Sequence, residues 1–140
     1  MNRLRNLSVL VLLLASTASP CLAMMSIELV TKERAKKLGI EIRAKPSGPD
    51  AVWLELEFKP EGELKSFSHV SLEITEGGKL LVGYAALREK RTTSGTVVVT
   101  FIANRASVDK ITLSVVKGVP TNLVGYQLRV KDFVDVAKVK

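Results

Sequence analysis

The chain has 140 residues, a formal net charge of +7, one cysteine and one histidine. That length suits a single domain, and a composition 46% hydrophobic and 25% charged excludes wholesale disorder and collagen-like repetition. A lone cysteine excludes an internal disulfide, and a lone histidine argues against a histidine-based metal cluster.

Residues 1–23 read as a secretory signal peptide. Arg3 and Arg5 supply a basic start, Leu7 to Ala15 is apolar apart from Ser8, and a small, turn-prone stretch runs to Cys21 and Ala23. The apolar run is shorter than the roughly 20 residues of a membrane span. Pro20 stands where a lipoprotein signal carries a small residue ahead of its cysteine, so ordinary cleavage after Ala23 is the expectation. Cleavage leaves 19 basic and 14 acidic residues, a net +5, and removes the only cysteine. The expected product is periplasmic or extracellular, free of thiol chemistry and held together by its core.

The domain is placed at 24–131, with 132–140 as a C-terminal tail or an extra edge strand. A first short strand runs through Ile27 and Leu29. Thr31 then suits a helix N-cap, Val30 and Ala35 a hydrophobic staple, and Gly39 a left-handed C-cap, which predicts a two-turn helix. After Gly39 the chain alternates with period two. Ile40 and Ile42 begin a strand. Val52, Leu54, Leu56 and Phe58 share one face of the next, opposite Trp53, Glu55 and Glu57. Val70, Leu72 and Ile74 repeat the pattern. Leu80 to Leu87 and Val97 to Ala103 are apolar on both faces. Ile111, Leu113 and Val115, then Tyr126, Leu128 and Val130, complete the series. Loops are expected at Pro46–Asp50, at Lys59–Gly62, around Arg88–Arg91 and at Gly118–Asn122, with one helical turn within 104–109. About seven short antiparallel strands and one N-terminal helix point to an immunoglobulin-like β-sandwich, with a small barrel as the alternative.

Glu76-Gly77-Gly78-Lys79 is the sharpest turn signal, because both central positions of a type I′ turn need positive φ. Uninterrupted pairing from that turn sets Ile74 against Leu81, Leu72 against Gly83 and Val70 against Ala85 on the core side. Leu80, Val82 and Tyr84 then form an apolar row on the opposite face. Internal cover by the helix or the first strand is expected; without it, the row becomes a partner face.

No catalytic constellation emerges. His69 has Ser66, Ser68 and Ser71 nearby, but no nucleophile elbow is present, and a half-exposed strand histidine is the commoner state. A small hydrolase built on His69 is the weakest reading. No cofactor and no metal site are implied by the ligand spacings. Trp53 with Glu55 and Glu57 is the pattern of a sugar platform, an indole to stack on and carboxylates for hydroxyls, so a glycan is one candidate ligand. Arg88, Lys90 and Arg91 are a candidate polyanion patch. They lack the interleaved aromatics of a nucleic-acid surface, and no nucleic-acid partner is expected. The leading expectation is an exported, non-enzymatic binding or structural module whose partner is a protein or cell-envelope component.

Overall fold

The computed structural model describes residues 24–140. The signal-peptide expectation for 1–23 therefore lies outside the described residues. Nine strands are present among them: β1 (Met24–Leu29), β2 (Glu41–Ser47), β3 (Ala51–Phe58), β4 (Phe67–Glu76), β5 (Lys79–Ala85), β6 (Arg88–Arg91), β7 (Val97–Asn104), β8 (Ile111–Val119) and β9 (Asn122–Arg129). A helix α1 (Lys32–Leu38) lies between β1 and β2, and a short helix α2 (Val136–Val139) follows β9.

The strands form two sheets, one ordered β1-β9-β8-β4-β5 and the other β2-β3-β7-β6. Two sheets with open edges make a β-sandwich and not the alternative barrel. The orders β2-β3-β7-β6 and β9-β8-β4-β5 match the A-B-E-D and G-F-C-C′ layers of an immunoglobulin-like sandwich. One pairing departs from the expected antiparallel scheme, since β1 runs parallel to β9, with Met24 beside Asn122 and Leu29 beside Gln127. Parallel neighbours cannot be joined by a hairpin, so nothing local in the chain announces this pair.

The period-two pattern of the sequence becomes the core. Exposure alternates along the whole of β3, with Val52, Leu54, Leu56 and Phe58 buried. Their partners across the ladder are Ala103, Phe101, Val99 and Val97 of β7, all buried. On the facing sheet, Val70, Leu72 and Ile74 pair with Val115, Leu113 and Ile111, and Tyr126 and Leu128 extend the layer. Burial of these alternate faces from water is the main driving force for closing the two sheets on each other.

The caps fall where the residues place them. Thr31 Oγ1 accepts from the Arg34 amide at 3.2 Å, and Gly39 takes φ 68°, a left-handed conformation that glycine adopts without the Cβ clash. Val30 and Ala35 are both buried, which seats a helix too short to persist alone. The helical turn expected within 104–109 is a 3₁₀ turn, Arg105–Lys110.

Two expectations are corrected. Arg88–Arg91 is a strand on the edge of the four-stranded sheet, not a loop, because it continues the β7 ladder from Thr100 to Val97. Residues 132–140 are neither a loose tail nor a strand. The 3₁₀ turn Val130–Asp132 leads into α2, Val139 enters the core, and Arg105 donates to the Val139 carbonyl at 2.6 Å and to the Lys140 backbone oxygen at 3.0 Å.

Candidate functional site

The four edge strands differ in how they end their sheets. Edges in soluble proteins are ordinarily guarded by charge, proline or shortness, because unpaired amides recruit other strands. On β2, Arg43, Lys45 and Pro46 do this; β6 is four residues long and every one is charged. The edges of the five-stranded sheet are less protected: β1 carries only Glu28 and exposes Met25, Ile27 and Leu29, and β5 is charged only at its first residue, Lys79. From Leu80 to Leu87 the chain carries no charged residue. Leu80, Leu81, Val82, Tyr84 and Leu87 are 55, 49, 41, 40 and 62% exposed.

The geometry of this edge starts at the turn. Gly77 and Gly78 take φ 57° and 77°, as a type I′ turn requires, and Glu76 pairs with Lys79 and Thr75 with Leu80. The register then shifts by one residue. Ile74 pairs with Val82, Glu73 with Gly83 and Leu72 with Tyr84, leaving Leu81 as the extra residue of a β-bulge. The expected pairs Ile74–Leu81, Leu72–Gly83 and Val70–Ala85 are therefore not formed. Paired residues share a face, so Val82 and Tyr84 lie on the core-facing side with Ile74 and Leu72, and Leu80 remains on the outer side with Thr75. The expected single row of Leu80, Val82 and Tyr84 is split between two faces.

Among the described residues no element covers this row, which stays exposed. β1, one expected lid, lies at the opposite edge of the same sheet. A groove of about 480 Å³ runs beside Tyr84, bordered also by Leu80, Ala86 and Glu89.

The other sequence-derived candidates are separate from this edge. Trp53, Glu55 and Glu57 lie together on the outer face of the four-stranded sheet, as alternation requires, and all three are half-buried. They are engaged with their own neighbours. The indole Nε1 donates to Glu55 Oε2 at 3.3 Å, the Lys45 ammonium sits 5.5 Å from the ring centroid, and Glu57 pairs with Arg43 at 3.3 Å. The basic triad is divided. Arg88 and Lys90 pair with Thr100 and Val98 on the outer face, whereas Arg91 pairs with Val97 and places its guanidinium 5.6 Å from the Phe67 ring. His69 is exposed, and its Nδ1 lies 3.0 Å from Ser68 Oγ, which in turn donates to the Val116 carbonyl at 3.2 Å.

One cluster escaped the sequence reading. Arg34 of α1 donates to Glu28 of β1 at 2.7 Å and to both oxygens of Glu63 at 2.9 and 2.7 Å. The buried Tyr126 donates its hydroxyl to the same Glu63 at 3.0 Å, and Lys117 lies 5.2 Å from the Tyr126 ring. Hydrogen bonds from Arg34 and then Tyr126 hold the Glu63 carboxyl down to about 2, and the two glutamates raise the Arg34 guanidinium. The network ties β1, α1, the 3₁₀ turn Gly62–Leu64 and β9 together. Its members are spread from residue 28 to residue 126, so no local spacing marks it.

Among the described residues no group of three or more His, Cys, Asp and Glu is placed to hold a metal ion, and no helix is long and apolar enough to cross a membrane. Comparison with models of known protein families, with curated proteins and with solved structures gives no match.

Proposed function

We propose that this protein is an exported, non-enzymatic β-sandwich module that acts in the periplasm or at the cell surface through a contact surface on the β5 edge. The observation that carries this reading is the contrast between edges: charge and proline guard β2 and β6, while β5 is uncharged from Leu80 to its end at Ala85 and leaves Leu80, Leu81, Val82 and Tyr84 exposed. An apolar strand edge left open to water is costly to solubility, and a binding partner accounts for keeping it. Export is inferred from the leader pattern of residues 1–23.

The glycan reading has less support, because Lys45 lies against the indole and both carboxylates already have partners. A hydrolase has less still, since Ser68 is the side chain hydrogen-bonded to His69 and it is turned toward a backbone carbonyl.

Photo-crosslinking in intact cells tests the contact surface. A photoreactive residue replacing Val82 is expected to give a discrete adduct, and the same residue replacing Lys45 on the guarded β2 edge is expected to give none. No adduct at Val82, or equal adducts at both positions, rejects the proposal.

A further inference from the structure

We infer that the protein also binds a linear anionic polysaccharide, through a cluster of lysines and one arginine at the end of the sandwich where α1 stops. The cluster shares no residue with β5, so the two readings stand or fall separately.

Local structure gathers the cations from separate segments. Gly39 turns the chain out of α1 toward β2, which leaves Lys36 and Lys37, in the last turn of the helix, beside the end of β3. Lys59 follows the buried Phe58 out of β3, and a cleft of about 660 Å³ joins Lys36, Lys37 and Lys59 to Thr96, just ahead of β7. Lys65 closes the 3₁₀ turn Gly62–Leu64, its amide donating to the Gly62 carbonyl at 3.3 Å. Two residues on, Phe67 pairs with Lys117 of β8 and lies under the Arg91 guanidinium of β6.

Carboxylates stand among these cations but are held by other residues. Arg34 binds Glu28 and Glu63, and Arg43 binds Glu41 and Glu57, so each arginine group keeps one net negative charge. Glu61 is the remaining carboxylate of the cleft. Against these three negative charges stand Lys36, Lys37, Lys59, Lys65, Arg91 and Lys117, none of them in an ion pair among the described residues. The helix does not need its lysines as caps, since the Gly39 and Ile40 amides already reach the Lys36 and Ala35 carbonyls at 3.2 and 2.9 Å. At the opposite end, Lys110, Arg129, Lys138 and Lys140 each face an acid. Unpaired cations spaced across one end attract a chain of anions, which releases the counterions of both.

The surroundings favour a polysaccharide over a nucleic acid. Arg91 lies over the Phe67 ring, and Arg34 and Lys117 lie over the Tyr126 ring, so these rings offer no open face for a base to stack on. The Thr92, Ser94 and Thr96 hydroxyls form a chain, at 2.8 and 3.3 Å, that ends at the cleft and suits sugar hydroxyls.

Titration calorimetry of the purified protein with dextran sulfate, unsulfated dextran and single-stranded DNA of matched charge tests the site. Dextran sulfate is expected to bind with an affinity that falls as salt rises, more tightly than the DNA, and dextran is expected not to bind. Replacing Lys36, Lys59 and Lys65 together by glutamine should weaken dextran sulfate binding at least about tenfold. The same replacement of Lys79, Lys131 and Lys138, at the opposite end, removes equal charge and should weaken it less than about twofold. All six lysines are exposed, so neither variant touches the core. No binding of dextran sulfate, equal binding of dextran or of DNA, or equal losses in the two variants overturns the inference.

Discussion

The Tyr126 hydroxyl donates to the Glu63 carboxylate across 3.0 Å, joining residues 63 positions apart through a ring that is only 2% exposed. Arg34 approaches the same carboxylate from α1 with two hydrogen bonds. This bond set fixes the 3₁₀ turn Gly62–Leu64 against β9, and the buried Leu64 anchors that turn in the core.

Acid stability should report this network. The Glu63 carboxyl is held at about 2 in the folded protein against an ordinary 4.5, chiefly by Arg34 and then by Tyr126. A carboxyl lowered on folding stabilises the native state fully above its unfolded value. The contribution is lost progressively as pH falls from about 4.5 toward 2. Thermal melts from pH 6 to pH 2 should show a steeper acid-side fall for the unmodified protein than for Glu63→Gln. Identical profiles would show that the carboxylate contributes nothing.

Core and edge leucines should part company on truncation. Leu54 is fully buried, opposite Phe101, whereas Leu80 is 55% exposed at the free edge. Leu54→Ala should cost about 2–5 kcal/mol in denaturant unfolding, through lost burial plus the cavity left behind. Leu80→Ala should change stability by less than about 0.5 kcal/mol. Comparable losses at the two positions would contradict the edge placement of β5.

Arg105 should hold the end of the described chain in place. Its guanidinium donates to the backbone oxygens of Val139 and Lys140, and Val139 is buried among core residues. In Arg105→Ala, amide hydrogen exchange within α2 should accelerate while that of β3 and β8 stays as it was. Unchanged protection of α2 would mean that the Val139 packing alone suffices.

Trp53 should prove dispensable for recognition. With Lys45 against the ring and Glu55 on its N–H, the indole already has polar neighbours of its own. A glycan array probed with the unmodified protein and with Trp53→Ala should give the same profile. Loss of a specific signal in the variant would restore the sugar reading.

Much of the fold is legible in local residue patterns. Alternation from Val52 to Phe58 and from Ile111 to Val115 marks both strands and their buried faces, because consecutive side chains of a strand point to opposite sides. Thr31 and Gly39 mark both ends of α1, since capping is an interaction within four or five residues. Trp53, Glu55 and Glu57 fall on one outer face for the same local reason, although their engagement with Lys45 and Arg43 depends on β2 lying alongside. The remainder follows from contacts between segments far apart in the chain. The slip at Leu81 moved Val82 and Tyr84 to the core-facing side, and a turn signal sets a register only until the first bulge. The edge position of β5, the parallel β1–β9 ladder and the Arg34–Glu63–Tyr126 network all depend on which distant segments become neighbours. Side-chain periodicity is written in adjacent residues, but the ends of a sheet are set by the order in which its strands assemble.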